Sequence, residues 1–197
     1  MKKIITLFVL AAAVLSSCNK FPLENTAAVN LAGDWVCTVY TDDGSGNWAP
    51  IAGADFRTCN TAANVPTEIW VDDLGSFWEI SCKVEADNGA RTFGKSGKEY
   101  EDNYNGTGQM IWGGKVTPNG AKAPGTESVT DKIEFYMAFA DDDLDGDKVD
   151  DPYCTVYCFV GYRRTGFPED DGEAQTSWDS LPAMVNAAPT KTESQLD

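Results

Sequence analysis

The sequence predicts an all-β domain, an antiparallel barrel of about eight strands, and three observations support this prediction. Several segments alternate apolar and polar residues with a period of two, as half-buried strands do. Turn-forming Gly, Asn, Asp and Pro residues separate these segments at short intervals. No segment has a convincing helical period of 3.6 residues, so a barrel or sandwich of antiparallel strands is favoured.

The alternation is clearest over residues 77–86, where Trp78, Ile80, Cys82 and Val84 face one way and polar side chains face the other. The predicted strands, in order, are residues 31–41, 68–72, 77–86, 106–117, 128–140 and 153–164. The apolar faces of two further alternating strands contain Trp35, Cys37, Val39, Ile133, Phe135, Met137 and Phe139. The last strand is apolar on both faces, which predicts that it packs inside and is covered outside.

The connections are predicted from turn chemistry. Residues 42–66 are rich in Gly, Asp and Asn and predict a loop whose Trp48 and Phe56 fold back onto the domain. Asn88 and Gly89 predict a type I′ hairpin turn, because both residue types tolerate a positive φ.

Two glycine-containing stretches shape the second half of the domain. Gly113 and Gly114 predict a bend or bulge within strand 106–117. The sequence Pro-Asn-Gly at 118–120 predicts a turn before the next strand.

The amino terminus predicts a bacterial lipoprotein signal. Basic residues at 2–3 precede an apolar run over 4–15, which is shorter than the roughly 20 residues of a membrane span. Two serines and Cys18 follow, so we expect cleavage before Cys18 and lipidation of its side chain. The alternative is an ordinary secretory signal with an incidental cysteine.

The chain then divides into four predicted parts. These are a signal peptide at 1–17, a lipid anchor and spacer at 18–30, the barrel at 31–171 and a polar tail at 172–197. Each buried methylene of a lipid anchor contributes about 0.8 kcal/mol, so two or three acyl chains hold a protein at a membrane essentially permanently. The predicted location is therefore the cell envelope, on the outer membrane, with the domain facing the periplasm or the surface.

Charge and composition exclude several kinds of function. The chain has 31 acidic and 15 basic residues, a formal net charge of −16, which argues against nucleic acid as a partner and against adsorption to anionic lipid headgroups. The chain contains no histidine, which excludes Ser-His-Asp and Cys-His catalysis and histidine-based zinc sites. Carboxylate-only or Ser-Lys chemistry is not excluded, but no motif indicates either.

Five cysteines follow Cys18, so at least one of them has no partner within the domain. Cys154 and Cys158 are four residues apart, about 13 Å along a strand, which exceeds the limit of about 7 Å for a disulfide. Four of the five lie in apolar, strand-like contexts and Cys59 lies in a loop-like one. We therefore interpret them as buried small hydrophobic residues.

The acidic stretch at 141–151 resembles the first half of a calcium-binding loop. Asp141, Asp143, Asp145 and Asp147 place alternate carboxylates around a glycine, but Pro152 occupies the twelfth position, where such loops have glutamate. The sequence favours a solvated acidic hairpin without a cofactor, and a structural calcium ion is the alternative. Two further carboxylate clusters, at 72–73 and 169–171, are predicted to be solvated turn residues.

The aromatic residues are the candidate ligand site. They lie on separate predicted strands and either line an apolar cavity or fill a small barrel with their own rings, two outcomes that barrels of about eight strands both show. The candidates are Trp35, Trp70, Trp78, Trp112, Phe135 and Tyr136.

Two ends of the domain carry a family resemblance. Gly33-Asp34-Trp35, with GYRRTGF at 161–167, resembles the lipocalin and calycin arrangement. The resemblance implies that Trp35 packs against Arg163 or Arg164 and closes one end of a barrel. The chain is more closely similar to lipocalin-like lipoproteins of Bacteroidetes known as lipid-binding putative hydrolases. The similar stretches, LAGDWVCTVY, NTAANVPTEIWVDDLGSFWEISCKVEA, GGKVTPNG and GYRRTGFPEDD, cover much of 31–171.

These features predict an envelope lipoprotein that binds a small apolar or amphipathic, lipid-like ligand in its barrel without chemistry. The first alternative is an interaction or glycan-binding protein with a solid barrel, favoured by an exposed aromatic patch near Trp48. The second alternative is a hydrolase, which carboxylates with perturbed pKa values in a cleft would favour.

The lipidation prediction is tested at one residue. Cys18→Ala removes the thiol that would accept the lipid, so we expect the precursor to stay uncut and the protein to leave the lipidated, detergent-soluble fraction. Mass spectrometry of the purified amino terminus measures both. Correct processing of the variant would contradict the predicted anchor.

Overall fold

The structure is a computed structural model that describes residues 25–42, 46–143 and 145–171. Within these ranges the chain forms nine antiparallel strands and no helix. The strands are β1 (Gly33–Asp42), β2 (Trp48–Asn60), β3 (Glu68–Asp72), β4 (Ser81–Asp87), β5 (Thr92–Phe93), β6 (Glu99–Glu101), β7 (Gly108–Lys122), β8 (Val129–Phe139) and β9 (Tyr157–Arg163). The predicted signal peptide, Cys18 and the tail at 172–197 lie outside the described residues. In those same ranges, no helix has the length and apolar character that a membrane crossing would require.

The strands form one sheet that closes on itself. Its order is β5-β4-β3-β2-β1-β9-β8-β7-β6, and an additional pairing of β5 with β7 completes a ring. β5 and β6 share one position in this ring, because both pair with β7 and a bridge joins Cys82 of β4 to Asp102 just after β6. The ring therefore has eight positions, which confirms the predicted all-β antiparallel fold of about eight strands.

The interior face of the ring matches the predicted alternation. Trp35, Cys37 and Val39 of β1 are fully buried in the main core, as are the four predicted inward residues of β8. β9 is buried on both faces, as its sequence predicts: Phe159 lies in the interior, whereas Cys158 and Val160 pack into a cluster on the outer face.

The prediction of a loop over residues 42–66 is wrong for most of that segment. Residues 48–60 form β2, the second-longest strand, and Cys59 lies within it rather than in a loop. Its backbone pairs with β1 on one side and β3 on the other. Ala54 and Phe56 alternate into the core, so tertiary pairing overrides the weak strand propensity of the Gly, Ala and Pro residues in this segment.

Three smaller predictions are also corrected. Residues 77–80 are not part of β4, which begins at Ser81. The stretch 118–120 lies inside β7 as a bulge with Asn119 at φ 53°, and the chain turns later, at 124–126. The hairpin at 88–91 exists, but Arg91 supplies its positive φ, 58°, so the turn is not type I′.

Glycine explains how the ring closes between β5 and β7. The predicted bulge in β7 is present as a register shift between Trp112 and Lys115. Gly114 pairs with Phe93, and a Cβ on Gly114 would lie 2.5 Å from the Phe93 ring. Gly94 has φ +74° and a Cβ there would lie 2.5 Å from the carbonyl oxygen of Ile111, so the close approach of the two strands requires glycine on both.

Aromatic side chains fill the middle of the closed sheet. Phe56 of β2 contacts Phe135 of β8 and Phe159 of β9, with centroid distances of 5.1 and 4.9 Å. Phe135 and Phe159 stack at 4.9 Å, and Phe93 packs on Phe135 at 5.6 Å. These are contact distances between rings. The sequence leaves open whether the aromatic residues line a cavity or fill the barrel, and in the middle of the interior they fill it.

One end of the ring, which we name the Arg163 end, is closed by a cation–π contact. The Arg163 guanidinium lies over the Trp35 ring, with Cζ 4.6 Å from the ring centroid, and it donates a hydrogen bond to the carbonyl oxygen of Ala32 at 2.6 Å. A Cβ on Gly33 would lie 2.7 Å from this guanidinium, which explains the glycine of the Gly-x-Trp pattern. Arg164 instead pairs with Asp55 at 2.6 Å.

The segment before β1 covers the same end. Ala28, which the sequence analysis assigns to the spacer, and Leu31 are fully buried in the main core. The Trp35 indole N–H donates to Thr58 Oγ1 at 2.8 Å, and Thr58 donates to the carbonyl oxygen of Leu31. The Arg163 end is therefore packed and its indole nitrogen is hydrogen-bonded, whereas the buried Arg163 Nε has no partner among the described residues.

Truncating Trp35 tests this packing. Trp35→Ala removes a fully buried ring and its cation–π partner, so the free energy of unfolding should fall by about 3–5 kcal/mol. Urea denaturation followed by circular dichroism measures the change. Trp70→Ala, the same change at a half-buried ring outside the core clusters, is the matched control and should cost clearly less. Equal losses at the two positions would contradict the closure described for this end.

Candidate functional site

The opposite end of the ring, which we name the Trp78 end, is closed by the β3–β4 loop. This loop places Phe77 and Trp78 across the opening, where both remain half-buried. Trp78 stacks on Phe139 at a centroid distance of 4.3 Å, and Phe77 lies 5.4 Å from both Tyr157 and Phe159. We call Phe77 and Trp78 the aromatic plug, because they continue the interior aromatic cluster out to solvent.

A single carboxylate holds the plug in place. Asp73 is fully buried and accepts hydrogen bonds from the backbone N–H groups of five residues of its own loop, at 2.6 to 3.1 Å. The donors are Gly75, Phe77, Trp78, Glu79 and Ile80. Glu79 has φ 58° and Leu74 φ 55°, so the loop curls tightly around the carboxylate. The prediction that Asp73 is a solvated turn residue is wrong, since these donors replace water.

Gln109 is the unusual polar group of this end. Its β7 position faces the interior, because its cross-strand partners Phe139 and Tyr100 both lie in the core and opposite residues share a face. The side chain is fully buried, and neither its Nε2 nor its Oε1 has a hydrogen-bond partner in the described part of the chain. A buried amide without partners costs about 1–3 kcal/mol of stability, so it requires an explanation.

An acidic connection borders the plug. The β8–β9 connection at 141–151 contains seven aspartates and one lysine. Asp141 accepts a hydrogen bond from the Trp78 indole N–H at 3.0 Å. Asp142 is buried and accepts from the Thr155 backbone N–H at 3.2 Å, and burial beside Asp142 raises the pKa of Tyr157 to about 12. The indole of the plug is thus tied directly to an aspartate.

The candidate calcium ligands separate in the structure. Asp143 and Asp145 come together with Asp151, with ligand oxygens within 4.8 Å of one another. Asp141 is instead bonded to Trp78, and Asp147 accepts a hydrogen bond from the Val149 N–H at 2.8 Å. The sequence reasoning missed Asp151, which the chain brings back to the start of the connection. Three surface carboxylates alone do not establish a metal site.

The six predicted aromatic ligand residues do not form one site. Trp35 and Phe135 lie in the packed interior, and Trp78 lies in the plug. Trp112 and Tyr136 stack on each other at 5.7 Å in the outer-face cluster. Trp48, whose exposure would favour a surface binding patch, is half-buried against Tyr136 at 6.1 Å.

Trp70 lines a separate open groove on the outer side of β6. The groove has a volume of about 480 Å³ and combines this ring with charged and amide side chains. Its lining includes Lys83, Glu99, Glu101 and Asn103. The polar, open lining is less suited to a lipid chain than the aromatic interior is.

Sequence reasoning missed three members of the Trp78 end: Asp73 as a loop anchor, Phe77 and Gln109. A usable signal existed for Gln109, since it shares the inward phase of Ile111 in the alternation of β7. No comparable signal existed for Phe77, because the sequence assigns it to a regular strand.

The five described thiols all have raised pKa values. Cys37, Cys59, Cys82, Cys154 and Cys158 are all free thiols. Burial raises the pKa of Cys82 to about 12 and that of Cys158 to about 12, opposite to the shift that activates a nucleophilic thiol. A hydrogen bond from Lys98 lowers the pKa of Glu85, whereas a general acid near neutral pH needs a raised one.

Asp170 is a second structural carboxylate, not the predicted solvated one. It is fully buried and accepts hydrogen bonds from the Gly125 and Thr126 backbone N–H groups at 3.0 and 2.6 Å, and from the Thr165 hydroxyl at 2.8 Å. Desolvation raises its pKa, but hydrogen bonds from Thr126 and Thr165 outweigh this effect and lower the pKa overall. The group therefore stabilises the link between the β7–β8 turn and the segment after β9.

The chain matches a known protein family. A family model described as lipid-binding putative hydrolase matches residues 22–168, which is 147 of the 197 residues. No curated protein matches the chain. The matched range contains the whole ring, the aromatic plug and the acidic connection.

Proposed function

The chain belongs to the lipid-binding putative hydrolase family. We propose that it is an envelope-anchored lipoprotein that binds a lipid-like amphiphile at the Trp78 end and catalyses no reaction on it. The lipoprotein signal before Cys18 supports the anchor and an extracytoplasmic location. The closed ring, Gly33 and the Trp35–Arg163 contact support a lipocalin-like arrangement of the barrel.

A ligand would have to displace the aromatic plug. The aromatic rings of Phe56, Phe135 and Phe159 are in contact with one another and leave no room for a lipid chain between them. Phe77 and Trp78 are only half-buried, and fully burying such a side chain contributes about 1.5–3 kcal/mol. Burying a lipid chain of about ten carbons contributes about 8 kcal/mol, at about 0.8 kcal/mol per methylene. Replacing the aromatic plug by such a chain therefore increases the free energy gained from apolar burial.

Gln109 is the observation that carries this proposal. A fully buried amide without a partner among the described residues is destabilising in the closed state, and a bound molecule can supply that partner. It stands beside Phe139, on which Trp78 stacks, so a headgroup or ester linkage that replaced the plug would come within reach of the amide. Polar groups inside apolar pockets commonly fix a ligand's orientation in this way.

Hydrolysis is the weaker alternative. The chain has no histidine, the described thiols are not activated, and the described side chains of the interior cluster include no acid–base pair beside Gln109. A binding role uses every feature of the Trp78 end, whereas a catalytic role has no residue to carry it.

Replacing Gln109 by leucine separates a ligand role from a structural one. Gln109→Leu removes an unsatisfied buried amide, so the free energy of unfolding should rise by about 1 kcal/mol or more. The same variant should bind a fluorescent dodecyl-chain amphiphile about threefold to tenfold more weakly, the effect of losing one hydrogen bond. Urea denaturation and probe titration, made on the same preparation, measure the two effects.

Two controls delimit the result. Ile111→Leu, a neighbouring inward position of β7, should leave probe affinity close to that of the parent chain. Trp70→Ala should also leave it unchanged, because Trp70 lines the outer groove. Weaker binding in Trp70→Ala with normal binding in Gln109→Leu would move the site to the groove and overturn the proposal. Destabilisation by Gln109→Leu would indicate a structural amide instead.

A further inference from the structure

We propose that the Trp78 end selects an amphiphile with an uncharged or amine headgroup and rejects one with a carboxylate. This inference rests on the proposed lipid-binding function and specifies its ligand class. Two independent observations carry it: the unpartnered Gln109 amide inside the ring, and the uncompensated acidic rim around the plug.

The rim consists of four carboxylates on three elements at the Trp78 end, namely β3, β6 and the β8–β9 connection. Asp141 contacts the plug itself through the Trp78 indole N–H at 3.0 Å. Asp72 lies at the end of β3, where the plug loop begins, and Asp143 lies two residues after Asp141. Glu99 of β6 accepts a hydrogen bond from the Tyr153 hydroxyl, which joins it to the β8–β9 connection.

The rim carboxylates accept hydrogen bonds from neutral donors, and Arg57, the cross-strand partner of Asp72, forms its ion pair with Asp34. Asp72 accepts from the Leu74 N–H at 2.7 Å, and Asp143 accepts from the Gly146 and Lys148 N–H groups of the backbone. The ion pairs in the described ranges involve other carboxylates, namely Asp34, Asp55, Glu68, Glu85, Asp131 and Glu134. The opening therefore keeps a negative potential, on a chain whose net charge is already −16.

This potential discriminates between headgroups of the same chain length. A carboxylate that approaches Asp141 and the neighbouring rim carboxylates meets like charges, which weaken its binding, whereas opposite charges strengthen binding. An ammonium meets opposite charges, and a hydroxyl meets neither penalty nor attraction. We expect about a tenfold weaker affinity for the carboxylate than for the hydroxyl, the order of magnitude of one or two like charges near a protein surface.

The interior amide completes the selection. Gln109 is neutral, so it offers no compensating charge to a buried carboxylate or to a buried ammonium, whereas a hydroxyl can donate to its carbonyl oxygen and accept from its N–H group. The nearest cross-strand neighbours of Gln109, Tyr100 and Phe139, are also uncharged. The interior amide therefore favours an uncharged headgroup, and an ammonium is compensated only at the rim, where a carboxylate is repelled.

Three probes with one dodecyl chain test the inference on the mature chain. Dodecanoate, dodecanol and dodecylamine are titrated against the same fluorescent competitor below their aggregation concentrations. We expect dodecylamine to bind at least as tightly as dodecanol, and dodecanoate about tenfold more weakly than dodecanol. Raising the salt from about 0.01 M to about 1 M, where the Debye length falls from about 30 Å to about 3 Å, should remove most of the difference.

A pair of matched charge variants locates the effect. Asp72→Asn, Asp141→Asn and Asp143→Asn together remove three rim charges, and each asparagine keeps one oxygen to accept, respectively, from the Leu74 N–H, the Trp78 indole N–H and the Gly146 N–H. The control removes three charges at the other end of the ring, in a variant carrying Asp87→Asn, Glu127→Gln and Glu169→Gln. The rim variant should lose most of the discrimination between dodecanoate and dodecanol, and the control variant should keep it.

Each outcome decides one point. If none of the three probes binds, the proposed lipid-binding function fails. If dodecanoate binds as tightly as dodecanol, or if the rim and control variants discriminate equally, lipid binding stands and the headgroup selection is overturned. Discrimination that survives high salt would also contradict the rim as its source.

Discussion

The two-residue pairing of β5 with β7 is the constraint on which the rest of the structure depends. It completes the ring of hydrogen-bonded strands, and it exists because Gly94 and Gly114 allow the two backbones and the Phe93 ring to meet. A closed ring has no free edges, so its inward side chains must fill the space inside, and they do so with aromatic rings in contact. Only the two ends can then differ in function.

The two ends are closed by different physical means. At the Arg163 end, fully buried side chains and a guanidinium over Trp35 leave the indole nitrogen hydrogen-bonded, an arrangement that stabilises the fold. At the Trp78 end, the half-buried plug is held chiefly through the backbone by Asp73, and a buried amide lies unsatisfied behind it. A region with half-exposed contacts is the part of a fold that opens at the smallest cost in free energy. Stability and ligand access are thus separated along the axis of the ring.

The sequence predicts the strands whose inward positions are large and apolar, and it fails where they are not. β8 follows from its alternating aromatic and aliphatic residues, whereas the inward face of β2 includes Ala52 and Ala54, which give almost no periodic signal. The roles of Asp73 and Asp170 could not be predicted, because a turn aspartate that accepts several N–H groups has the same sequence context as a solvated one. Such roles depend on burial, and burial is a property of the assembled ring.

Amide hydrogen exchange at the N–H groups that donate to Asp73 tests the central claim, namely that the plug occupies the place of a ligand and gives way to it. The amides of Phe77, Trp78 and Ile80 are followed in the free chain and in the presence of saturating dodecylamine. The account predicts faster exchange at these amides when the probe binds, with unchanged protection in β1 near Trp35. Binding of the probe with equal or greater protection of the plug amides would contradict it.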